Sequence, residues 1–165
     1  MKSRLSAIDH IRQNHSVEHA TIHLLSRRHP DLRFVGRSIP SGFLLIGDIG
    51  TEAVAEAVME ALDRLQDGES ELALHPNCGS NLVVSGVLAG LAAWVATRGR
   101  RRSPWDQLPA ALLAATAALI IAQPLGPLFQ EWVTTTPYLQ GVRFRQVVSG
   151  RLGNAMSHRV ELARD

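Results

Sequence analysis

From Ser6 to Arg28 the chain holds no Gly or Pro, and Ile8, Ile11, Ile22 and Leu25 recur at helical spacing until His29-Pro30. The spacing predicts one long amphipathic helix. Leu32 to Arg37 and Gly42 to Gly47 are short β-prone runs around Ser38-Ile39-Pro40-Ser41, the pattern of a hairpin whose turn exceeds two residues. Thr51 to Leu65 returns to helical spacing, with Glu52, Glu56, Glu60 and Asp63 on the polar side, and Asp67-Gly68-Glu69 stops it. Glu71 to His75 reads as a further strand before the turn Pro76-Asn77-Cys78-Gly79. Near the end, Val142 to Val148 and Arg159 to Leu162 alternate as strands do, linked through Gly150 to Asn154, and are expected to join the first hairpin in one sheet.

Between these regions the pattern changes. Asn81 to Thr97 and Leu108 to Gln130 contain no charged residue, and the second run alone is long enough to cross roughly 30 Å of hydrocarbon. Gly86, Gly90 and many Ala in the first run suit close packing on a neighbouring helix. Pro124 and Pro127 are expected to bend or end the second run, and Trp94, Trp105 and Trp132 fall near segment ends, as interfacial aromatics do. A soluble protein of 165 residues has too little other mass to surround two such helices. The expected architecture is therefore α+β with a two-helix transmembrane hairpin: an extramembrane domain over residues 1–80, the hairpin over 81–130, and a β-prone tail over 131–165 packed on the first domain.

Charge adds an orientation. The chain carries 17 Lys and Arg against 15 Asp and Glu, and four of the basic residues, Arg98, Arg100, Arg101 and Arg102, sit in the loop between the apolar runs. Without those four the remainder is net acidic, so no basic face for nucleic acid is present. A positive loop stays in the cytoplasm, which puts both termini on the opposite side and makes the lipid bilayer an expected partner. Met1 to His29 is polar where a secretory signal needs an apolar centre, and the single cysteine, Cys78, excludes an internal disulfide.

Candidate chemistry lies in two places. His15-Ser16-Val17-Glu18-His19 puts two imidazoles one helical turn apart, with His23 a turn further on, and Glu18 beside them on the same stripe as Ile8, Ile11 and Ile22. Two imidazoles so spaced can share one Zn²⁺, and the intervening carboxylate can take a proton from its water. The second place, His75-Pro76-Asn77-Cys78-Gly79, offers an imidazole and a thiol three residues apart in a turn. A helix cap with a small buried thiol is the structural alternative there. Asp48 is read as capping the helix that begins near Thr51, and the Glu52, Glu56 and Glu60 row as a solvated face.

These two runs resemble the hallmarks H-G-A-E-H-K-T-I and H-P-R-C-G-T of the YqhQ-type bacterial membrane proteins, predicted metal-dependent enzymes of unknown substrate. The layout, with a membrane hairpin after the cysteine turn, is closer to a smaller uncharacterised bacterial family of the same pattern. The resemblance implies roles for His15, Glu18, His19, His75 and Cys78, while Ala20 and Asn77 stand where the longer family has Lys and Arg. Together the residues and the resemblance point to a membrane-embedded metal-dependent hydrolase. In that reading His15 and His19 hold one divalent ion, most simply Zn²⁺, completed by His75 and Cys78 or by one of them plus water, and where a coordination position stays open Glu18 is the general base. The alternative is a closed four-ligand site, in which the metal staples a structural or scaffold protein.

Overall fold

A computed structural model describes residues 6–98 and 103–164, so Arg100, Arg101 and Arg102 of the predicted basic loop lie outside the described residues. Helix α1 spans Ala7–Arg28, and its start is fixed by a capping box: Ser6 Oγ accepts from Asp9 N–H, and the Asp9 carboxylate accepts from Ser6 N–H. Those hydrogen bonds hold the Asp9 pKa below the usual carboxylate value. Strands β1 (Val35–Ile39) and β2 (Gly42–Ile46) form the first hairpin, followed by α2 (Thr51–Gln66). Helices α3 (Gly79–Thr97) and α4 (Pro104–Phe129) come next, and strands β3 (Val142–Leu152) and β4 (Ala155–Arg164) close the chain.

The four strands make one antiparallel sheet in the order β1-β2-β4-β3. The last strand therefore lies between the first hairpin and β3, which unites the two ends of the sequence. Phe43 faces Val160 and Leu45 faces His158 across the β2–β4 pair, so these four share one side of the sheet. All four are fully buried, in a core with Val17, Ala20 and Leu25 of α1 and Val54, Ala57, Val58 and Ala61 of α2. The architecture is α+β, with two helices packed against a small sheet.

Four local expectations change. Strand β1 continues through Ser38 and Ile39, leaving Pro40-Ser41 as a two-residue turn; Gly42 follows at φ +153°, where a Cβ would overlap the Val160 carbonyl. The second hairpin likewise turns only at Gly153-Asn154, with Gly153 at φ +62°, so its strands run further than the alternation suggested. Finally, Glu71 to His75 is not a strand. Ser70–Ala73 forms a 3₁₀ turn with Leu72 N–H bonded to Glu69 O and Leu74 N–H to Glu71 O. No β-branched residue holds that run extended, and Gly68 at φ +101° redirects the chain before it. Gly50, without a side-chain cap, stands at the start of α2 where Asp48 was expected to serve.

The chain divides into two units, one of Met1–His75 with Glu131–Asp165 and one of Pro76–Gln130. The second unit is the helix pair. Gly79–Thr97 and the 30-residue stretch Trp105–Thr134 are both apolar and long enough to cross a membrane, with mean hydropathy 1.6 and 1.8. Within the pair, Gln130 Nε2 donates to Asn81 Oδ1 at 2.6 Å, and a Cβ on Gly126 would fall 2.7 Å from that oxygen. Gly126 is thus the residue that admits Asn81. Helix α3 packs on α4, but Gly86 and Gly90 do not take part, since nothing lies within 4 Å of a Cβ at either. Alanines at 89, 92, 93 and 96, half-buried, alternate instead with exposed Val87, Leu91, Trp94 and Val95. Pro124 does not end α4, which runs to Phe129 and continues as a π-helical turn, Gln130–Thr134. Membrane helices accept such interior prolines because neighbouring groups satisfy the freed carbonyls.

Candidate metal centre

Three histidines on α1 are wired to backbone carbonyls from elsewhere in the first unit. His15 Nδ1 lies 3.0 Å from Thr134 O, His19 Nδ1 2.6 Å from Ala73 O, and His23 Nε2 2.8 Å from Leu74 O. A carbonyl only accepts, so in each pair the ring nitrogen donates. The neutral rings of His15 and His19 consequently carry their lone pairs on Nε2, and that of His23 on Nδ1. This is how metal-binding imidazoles are commonly fixed, by a hydrogen bond from the nitrogen that does not bind.

The rings stand close together. His15 and His19 have centroids 4.2 Å apart, His19 and His75 5.6 Å, and His23 and His75 4.9 Å. His19 is 2% exposed, and His75 is half-buried. Burial, with the neighbouring His23 and His19, lowers the His75 pKa to about 4. His75 is therefore neutral at pH 7, the form that ligates metal.

The turn at Ser70–Ala73 explains the convergence. Because that run coils rather than extending, it delivers the carbonyls of Ala73 and Leu74 to two successive turns of α1 and leaves His75 against His19 and His23. Residues 134–136 do the same from the other side: Ser16 Oγ lies 2.9 Å from both Thr136 O and Thr136 N, and Arg12 Nε donates to Thr135 O at 3.0 Å.

Glu18 is buried at 4% exposure and meets β1. Its carboxylate accepts the Ser38 hydroxyl hydrogen, and a Cβ on Gly36 would overlap its side chain. Cys78 is the N-cap of α3 in the second unit, with Sγ 3.1 Å from Ser80 Oγ. The histidines predicted as ligands, His15, His19 and His75, thus lie together in the first unit, and the sequence signal left out only His23. Its four-residue step from His19 was visible, but its pairing with His75 depends on a coil the sequence did not reveal. At the opposite end of α1 the expected apolar stripe is not core, since Ile8 and Ile11 are 69% and 43% exposed.

Residues 10–147 match the profile of a family described as a domain of unknown function, DUF6391. The chain is also 37% identical over 138 residues to an uncharacterised protein of Picosynechococcus sp. (strain ATCC 27264 / PCC 7002 / PR-6). That alignment covers 76% of this chain and 65% of the relative, so the chain spans less than two thirds of the relative's length. No solved structure matches.

Proposed function

The chain belongs to the DUF6391 family, and we propose that it is an integral membrane protein stapled by one divalent metal ion, held by His15, His19 and Cys78 with His75 as the fourth ligand. The observation that carries this reading is the pair of Nδ1 bonds to Thr134 O and Ala73 O, which leave Nε2 of both helical imidazoles as the metal-binding nitrogen. Nitrogen and thiolate donors suit Zn²⁺, which in a closed tetrahedral site contributes stability rather than turnover. His75 and Cys78 are three positions apart, a reach of at most about 11 Å between Cα atoms, so one short turn can bring a sulfur donor to His75. Cys78 and the helical histidines would then join two stretches far apart in sequence. Helices α3 and α4 cross the bilayer, and the basic loop from Arg98 to Arg102 faces the cytoplasm with both termini opposite.

A catalytic reading keeps one specific observation in its favour. Glu18 is a buried carboxylate directly preceding His19, where a base for hydrolysis would stand if one coordination position were open. The contacts with Gly36 and Ser38 give that carboxylate a packing role as well, which favours the staple.

Elemental analysis and thermal unfolding of wild type, His19→Ala, Cys78→Ala and Glu18→Gln test the assignment. One equivalent of metal in wild type and Glu18→Gln, with loss in the other two and a lower unfolding temperature on chelation, supports the staple. Equal metal content in all four overturns it. Chelation that leaves unfolding unchanged while abolishing a hydrolytic activity that Glu18→Gln also lacks would establish the enzyme instead.

A further inference from the structure

The geometry points to a phospholipid headgroup site on the first unit: the cavity between α1 and residues 131–138 takes a zwitterionic headgroup, its phosphate at Arg12 and its ammonium among Glu131, Asp9, Trp132 and Tyr138. This rests on the proposed membrane insertion of α4. The cleft is open to solvent and holds about 480 Å³, within the range of small-ligand sites, and none of these residues belongs to the metal centre.

Position supplies the first argument. The apolar stretch Trp105–Thr134 has 30 residues, which at 1.5 Å each run about 45 Å against roughly 30 Å of hydrocarbon. Its ends therefore reach the headgroup layers, and Trp132 stands in the last turn. Trp132 and Tyr138 are 75% and 74% exposed, and Ile8 on the adjoining turn of α1 is 69% exposed, an arrangement suited to the boundary between lipid and water.

Charge supplies the second argument. Arg12 is fixed by donating from Nε and Nη2 to Thr135 O and from Nη2 to Trp132 O, acceptors that do not neutralise it. Among the described residues no carboxylate lies within ion-pair distance of Arg12, although the charge of Arg12 reaches Asp9 three residues before it. A fixed guanidinium recognises a phosphate oxygen. Asp9 and Glu131 line the same cavity with the two aromatic side chains, a combination that attracts an ammonium group through charge and cation–π contact. An anionic headgroup lacking the ammonium satisfies the Arg12 half and meets two carboxylates.

The test uses the full chain in vesicles, with Trp94→Phe and Trp105→Phe leaving Trp132 as the only tryptophan of the three. Phosphatidylcholine with brominated chains is titrated into phosphatidylglycerol vesicles, and the brominated phosphatidylglycerol is titrated into phosphatidylcholine. Half-quenching of Trp132 at a phosphatidylcholine fraction about tenfold lower than the phosphatidylglycerol fraction is expected, a gap of the size of one charge-assisted contact. Glu131→Gln and Tyr138→Ala, both at exposed positions, should each narrow the gap while Arg12 continues to tie α1 in place. A companion chain keeping only Trp105 reports insertion. If Trp105 escapes quenching by either lipid, the membrane reading fails and this site with it. If Trp105 is quenched by both but Trp132 shows no preference, the headgroup site alone is overturned.

Discussion

Glu18 and Gly36 occupy each other's space: the carboxylate of one fills the position that a side chain on the other would need. The contact couples the helix bearing the histidines to the edge strand β1, with Ser38 two residues on donating to the same carboxylate. Gly36→Ala should therefore lower stability by about 1–3 kcal/mol, the usual cost of overpacking a filled site. Denaturant unfolding of the purified protein measures this, and an unchanged midpoint would show that Glu18 moves aside freely.

Chelation should act through the fold. With the ion removed, thermal unfolding should fall in wild type but not in Cys78→Ala, because a variant that holds no metal has none to lose. Readdition of Zn²⁺ should restore the wild-type transition.

Acid should destabilise the metal-free protein. Burial lowers the pKa of both His75, to about 4, and His158, whereas the unfolded chain titrates both near 6.5. Below 6.5 the unfolded state thus binds more protons, so stability is full above that pH and declines as pH falls toward 4. His75→Gln and His158→Gln should each flatten the decline, read as unfolding free energy against pH.

Much of this fold was legible because it is written in periodicity. The Ile8-to-Leu25 spacing, the uncharged runs from Asn81 and from Leu108, and the alternation in the tail all became elements of the expected kind. What escaped was local coil geometry. Glu71 to His75 lacks the β-branched residues that hold a strand and follows the turn at Gly68, but the short 3₁₀ turn it forms leaves no periodic signal in the sequence. The direction of Gly86 and Gly90 was equally hidden, since sequence shows that a helix has a small-residue face but not which neighbour it addresses. Pairing of imidazoles along α1 was readable from spacing, whereas the main-chain acceptors that orient them have no side-chain signature.

Arg164 ties the end of β4 back to α1 by donating to Gln13 Oε1 at 3.0 Å and His10 O at 3.2 Å, with Asn14 as a further partner. Arg164→Met should cost about 1.5–3 kcal/mol, the range for hydrogen bonds from a charged donor. Hydrogen exchange at the start of α1 should quicken with it.

In the helix pair, Gly126→Val should displace Asn81 and break its bond to Gln130, whereas Asn81→Leu should lose about 0.6–2 kcal/mol from the missing interhelical bond. A cysteine pair placed across α3 and α4 would report the separation as slower crosslinking.

The acceptors at positions 73, 74 and 134 are peptide oxygens, which every amino acid supplies alike. Evolution can thus exchange the side chains there without altering which nitrogen of each imidazole stays protonated. Related chains should keep their histidines amid drifting surroundings, and a substitution scan limited to side chains would overlook half of what makes those rings fit to bind.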